Sequence, residues 1–137
     1  LYMAVLRVQE ACIQAAGQAH RRQWSLVDLN GLANTLMVDE LAALGFSQPA
    51  KHVDRLFPHS IGHLLGMDLH DCPQVSPYAP LKEGTVITIE PGLYIPRSYE
   101  YPAQFHGIGI RIEDDLIIGS DSVEILTGEV PKHPDHL

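Results

Sequence analysis

Apolar positions recur every three to four residues over the first third of the chain and every second residue over the last third. Leu1, Val5, Val8, Cys12 and Ala15 or Ala16 fall on one stripe, which predicts a helix from about Leu1 to His20. A second helix is predicted from about Leu26 to Gly45, the glycine acting as its C-terminal stop. A connector follows from Phe46 to Pro58, then a histidine-rich segment that reads as a short strand and loop. Pro73, Pro77 and Pro80 make the stretch from Pro73 to Lys82 an irregular loop. Strands are expected at about Thr85 to Ile89, Leu93 to Ile95, Gly107 to Glu113, Asp115 to Ile118 and Ser122 to Leu126. The loop from Pro96 to His106, with Tyr94, Tyr99 and Tyr101 nearby, either borders a peptide cleft or is a solvated hairpin loop. The tail from Pro131 to Leu137 is expected to fray. Helices at the front and strands at the back give an α/β chain of the α+β kind.

The strand around Arg111 is the most constrained. Ile108, Ile110 and Ile112 point to one face, expected to be core, and Gly107, Gly109, Arg111 and Glu113 to the other. Inside a domain that second face would hold an arginine and a glutamate away from bulk water. The cost is several kcal/mol unless each charge is paired or bound to metal. The two glycines leave room beside them. Glu90 repeats the arrangement: it follows Val86 and Thr88 on one face, with Ile87 and Ile89 on the other, before Pro91 and Gly92 break the strand. One glutamate in a strand is ordinarily a solvent-facing edge residue. Two such strands beside His59, His63 and His70 are less ordinary, since histidine is the commonest metal ligand. His133 and His136 in the tail read as surface groups. Together His63, Glu90 and Glu113 read as a metal site for hydrolysis.

Three ordered blocks carry a resemblance. They are His59-Ser60-Ile61-Gly62-His63-Leu64-Leu65-Gly66-Met67-Asp68-Leu69-His70-Asp71, then Leu81-Lys82-Glu83-Gly84-Thr85-Val86-Ile87-Thr88-Ile89-Glu90-Pro91-Gly92-Leu93-Tyr94, then Gly107-Ile108-Gly109-Ile110-Arg111-Ile112-Glu113-Asp114. In this order they resemble the C-terminal half of the pita-bread metallopeptidases of the creatinase and aminopeptidase fold. The match is nearest the Xaa-Pro aminopeptidase and prolidase branch with its mitochondrial intermediate-cleaving members. The helical first third matches by pattern rather than by motif. The resemblance implies two helices followed by a mainly antiparallel curved sheet. It implies His63, Glu90 and Glu113 as metal ligands, with Glu113 bridging two divalent ions, manganese first and cobalt or zinc as alternatives. His59 and His70 would line the substrate pocket, His70 helping to bind the peptide and stabilise the transition state, and Arg111 would support the metal carboxylates. Glu90 would accept the proton of the attacking water and return it to the leaving amine.

The same resemblance implies two further aspartate ligands on a hairpin upstream of the first helix. Asp28 and Asp39 have the spacing of that pair. Asp28 nevertheless sits where a helix N-cap belongs, and Asp39 lies inside a helical run, so both read as cap and solvated face. The 137 residues are thus expected to be a partial catalytic domain, sparingly soluble and inactive alone, whose partners are a peptide substrate and a second copy or an N-terminal half. A binding module that has lost part of its metal site is the alternative, and a mononuclear hydrolase or non-haem iron oxygenase a weaker one. Net charge is −8 with no basic run, which excludes a nucleic-acid partner. No apolar stretch approaches the roughly 18 residues that span a bilayer. Two cysteines, Cys12 and Cys72, make no disulfide framework and suit a reducing compartment, and Cys72 reads poorly as a nucleophile. An intracellular, soluble protein is expected, cytoplasmic or, by the resemblance, mitochondrial.

Overall fold

The structure, a computed structural model, describes residues 1–136. Four helices come first: α1 (Tyr2–Ala16), α2 (Ala19–Arg22), α3 (Leu26–Ala43) and α4 (Pro49–Leu56). Five strands follow: β1 (Val86–Ile89), β2 (Gly92–Tyr94), β3 (Gly109–Arg111), β4 (Asp114–Ile118) and β5 (Val123–Ile125). Short 3-10 turns lie at Ala103–Phe105 and Pro134–His136.

The predicted stripe of α1 is buried at Val5, Val8, Cys12 and Ala16. The first helix does not run on to His20. It stops at Gly17, where the backbone of Ser122 packs 3.5 Å from the position a Cβ would take, and α2 is a separate turn. Ser25 is the N-cap of α3, and Asp28 is not, contrary to expectation. Asp28 stands three residues in and completes a capping box, accepting from the Ser25 amide at 2.7 Å while the Ser25 hydroxyl accepts from the Asp28 amide at 3.3 Å. Hydrogen bonds from the Ser25 side chain and backbone hold the Asp28 carboxyl below the usual carboxylate range. Ser25→Ala should therefore cost about 1 kcal/mol in a urea titration. Gly45 stops the helix as predicted, in the left-handed region at φ +85°.

The expected connector from Phe46 to Pro58 contains α4. Gln48 turns the chain at φ 49°, Pro49 supplies a pre-set first helical residue, and Val53 and Leu56 anchor one face in the core. Leu29, Ala33, Met37 and Leu41 on α3 bury with the α1 stripe and with Ile87, Ile89, Leu116 and Ile118 of the sheet.

β1, β4 and β5 form an antiparallel sheet in the order β1-β4-β5, and β2 pairs antiparallel with β3. Ile89 faces Asp114 and Gly92 faces Arg111, so the register carries across the break between the sheets. β1–β2 and β3–β4 are one ribbon interrupted at Pro91, whose carbonyl accepts from the Ile112 amide at 3.3 Å. The expected core face of β3 is only partly core: Ile112 is 5% exposed, Ile110 half-buried and Ile108 39% exposed. β3 pairs with β2 alone, and burial fades toward its start.

The histidine segment makes a single bridge, Leu64 to Ile87, rather than a strand. Its backbone is hung irregularly on β1, with Thr88 N donating to His63 O at 3.0 Å and Glu90 N to Ile61 O at 2.7 Å. The tail expected to fray is fastened at Lys132: the Tyr2 hydroxyl donates to Lys132 O at 2.6 Å and Lys132 pairs with Asp114 at 2.9 Å, while residues 133–136 are exposed. Leu137 lies outside the described residues.

Candidate metal centre

Because the register is continuous, Glu90 falls directly opposite Glu113 in the ribbon's break. Like charges on one rung repel. Arg111, two residues before Glu113 and hence on the same face, lies between them, its Nη1 3.0 Å from Glu90 Oε2 and 2.5 Å from Glu113 Oε2. The hydrogen bond to Glu113 raises the Arg111 pKa further, so the guanidinium stays charged.

His63 reaches the same spot from the segment beside β1. Its Nδ1 is 3.0 Å from Leu64 O, an atom that only accepts, so Nδ1 carries the proton and Nε2 turns inward, 3.3 Å from Glu90 Oε1. A neutral Nε2 lone pair and a carboxylate oxygen repel at that distance unless a cation or a proton stands with them. Ligand atoms of His63, Glu90 and Glu113 all lie within 4.8 Å of one another, and all three residues are half-buried. One imidazole and two carboxylates, held by hydrogen bonds from behind, suit a divalent ion.

Thr88 is the residue sequence reasoning missed. Its hydroxyl donates to Glu90 Oε1 at 3.2 Å and accepts from the His63 amide at 3.1 Å, fixing a carboxylate and an imidazole at once. Its signal was in the alternation, since Thr88 precedes Glu90 by two on the same face. Gly62 permits the approach: a Cβ there would sit 1.9 Å from the Thr88 carbonyl oxygen. Asn30 of α3 was also missed, and its Oδ1 accepts from the Ile61 amide at 2.8 Å.

The other expected residues surround this point. The His59 Nε2 is 2.9 Å from the Tyr94 hydroxyl, and the His70 ring stands edge-on to that of His63, centroids 4.4 Å apart. His70 is exposed and, with His63 and Cys72, rims an apolar groove of about 700 Å³ bounded by Leu26, Val75 and Leu81. Of the two glycines expected to leave room, Gly109 leaves it for the Tyr94 ring, 3.1 Å from its Cβ position, while Gly107 is a turn residue at φ +78°. Burial pushes the Tyr94 hydroxyl up, with Arg111 opposing and Glu90 adding. Burial likewise raises the Asp115 carboxyl, reinforced by Glu113 and Asp114. Asp28 is occupied in its capping box and Asp39 is exposed on α3, and neither joins the cluster. Among the described residues no helix is long and apolar enough to cross a membrane.

The family model for metallopeptidase family M24 matches residues 1–120. Intermediate cleaving peptidase 55 of Saccharomyces cerevisiae is 49% identical over all of this chain, which covers 27% of that protein. The Arabidopsis thaliana protein named intermediate cleaving peptidase 55, mitochondrial, is 42% identical over all of this chain and 27% of its own length. A crystal structure of the yeast protein bound to the apstatin inhibitor superposes with TM-score 0.90 at 48% identity, over 99% of this chain and 33% of that one. Escherichia coli aminopeptidase P with the inhibitor Pro-Leu gives TM-score 0.85 at 34% identity, over 99% and 32%. The chain thus spans about a quarter to a third of the length of these relatives and has the pita-bread fold of the aminopeptidases among them. With the fold, the family match and these identities in agreement, the chain belongs to metallopeptidase family M24.

Proposed function

We propose that His63, Glu90 and Glu113 are metal ligands of an aminopeptidase that removes N-terminal residues from peptides, of the Xaa-Pro type, with manganese the preferred ion and cobalt or zinc alternatives. The carrying observation is that the three side chains converge within 4.8 Å from a continuous rung and the segment hung beside it. The M24 family is divalent-metal dependent, and divalent ions held there would lower the pKa of a water and polarise the scissile carbonyl.

The chain's own residues supply the rest. Glu90, whose Oε1 faces His63, accepts the proton and passes it to the leaving amine. Arg111 keeps both carboxylates turned toward the ligand cluster. His70, on the groove side of His63, meets the peptide, and His59 with its Tyr94 hydroxyl bounds the other side. Three donors hold an ion less firmly than the five that the resemblance implies, and Asp28 and Asp39 do not make up the difference. The chain alone therefore binds one ion weakly and hydrolyses poorly, as part of a catalytic domain. A mitochondrial setting, as in the Arabidopsis relative's name, fits this reading. The presence and convergence of His63, Glu90 and Glu113 disfavour the alternative of a binding module with a lapsed centre.

The test is a chimaera in which these 137 residues replace the matching part of yeast intermediate cleaving peptidase 55. Manganese-dependent release of the first residue from Xaa-Pro peptides is expected. A folded, metal-loaded chimaera without hydrolysis would overturn the enzymatic reading.

A further inference from the structure

We infer that Lys132, acting through the buried carboxylate of Asp114, is a positioning residue for Glu113, so that the tail of the chain sets how firmly the centre holds its ion. This rests on the reading of Glu113 as a ligand. Asp114 follows Glu113 and faces Ile89, the residue before Glu90, so the rung beside the centre passes through its backbone. Neighbouring strand residues point to opposite faces. As Glu113 turns to the centre, Asp114 turns toward α1 and is 1% exposed.

Three side chains hold that carboxylate. Gln9 of α1 donates to Oδ2 at 2.6 Å, and the Thr127 hydroxyl and Lys132 Nζ donate to Oδ1 at 2.5 and 2.9 Å. Thr127 also accepts from the Asp115 amide at 3.1 Å, and Lys132 is itself fastened, donating to Val130 O at 2.9 Å and accepting from the Tyr2 hydroxyl at 2.6 Å. Among the described residues Lys132 is the one cation within ion-pair distance of Asp114. A buried carboxylate left without its counter-charge is driven toward water. Water is at hand, because a cavity of about 310 Å³ lined by Leu6, Gln9, Glu10, Asp114 and Lys132 opens beside it. An Asp114 side chain that turns into this cavity twists the start of β4 and swings Glu113 off its place opposite Glu90. The cavity also leaves space for an arginine in place of Lys132.

Manganese binding, followed by electron paramagnetic resonance on the 137-residue protein, tests this with four variants, each kept well below its own melting temperature. Lys132→Met is expected to weaken binding about tenfold or more, the scale of losing an outer-sphere partner. Lys132→Arg restores it, and Leu41→Ala, which lowers stability by removing core volume on α3 while sparing every bond to Asp114, leaves it unchanged. Glu113→Gln abolishes it. Wild-type affinity in Lys132→Met, with Glu113→Gln dead, overturns the inference and leaves the reading of Glu113 standing. An equal loss in Leu41→Ala overturns it as well, reducing the effect to general stability. Wild-type affinity in Glu113→Gln, or no binding by the wild type, overturns the ligand reading itself. If Lys132→Met does not fold, Thr127→Val removes one donor from the same carboxylate and is expected to weaken binding, unchanged affinity again overturning the inference.

Discussion

Glu113→Ala is expected to reduce manganese affinity by more than the roughly 10–100-fold that follows loss of an outer-sphere partner. The variant removes one of three donors and leaves Arg111 Nη1 with only Glu90 Oε2, to which it is already bound at 3.0 Å. The fold should survive. Glu113 is half-buried and its carboxylate bonds only to Arg111 among the described residues, so the core under β4 is untouched. Calorimetric titration of chelator-stripped wild type and variant reads the effect, and equal affinities would remove Glu113 from the centre.

Gly62→Ala should damage both the fold and the centre. The new methyl would lie 1.9 Å from the Thr88 carbonyl oxygen and 2.8 Å from its carbon, both in the backbone of β1. Neither can rotate away, so the histidine segment must lift from the strand. That movement breaks the bonds from Thr88 N to His63 O and from the His63 amide to the Thr88 hydroxyl. A loss of about 3 kcal/mol is expected, the upper range for overpacking, together with weakened manganese binding as His63 moves. A urea midpoint and a metal titration on the same sample check both. Stability within about 0.5 kcal/mol of wild type would mean that the segment is not seated as described.

What could be seen in the sequence follows from which interactions are local. The α1 stripe, the Gly45 stop and the strand alternation around Glu90 are set by neighbours a few positions apart. α1 ends at Gly17, where the backbone of Ser122, over a hundred residues away, packs alongside, a contact that no local pattern contains. α4 is short, and its start depends on a left-handed Gln48, which reads as a turn. At the site, residue types and faces were visible, but the position of Glu90 opposite Glu113 needed the register that runs through Pro91 and Ile112. Asp28 was misplaced by one helical turn because its capping-box partner, Ser25, is the true cap. The tail looked polar and proline-rich, yet Lys132 reaches a buried carboxylate that alternation alone would have counted with Leu116 and Ile118 as core.

The most direct measurement is paramagnetic broadening of the histidine ring signals by sub-stoichiometric manganese, followed by nuclear magnetic resonance. Eight histidines in the chain serve as their own controls. The account predicts that His63 broadens first, with His70 beside it and His59 next, while His20 and His133 keep their linewidths. Broadening that begins at His133 and His136, near Asp135 in the tail, with His63 unaffected, would contradict it.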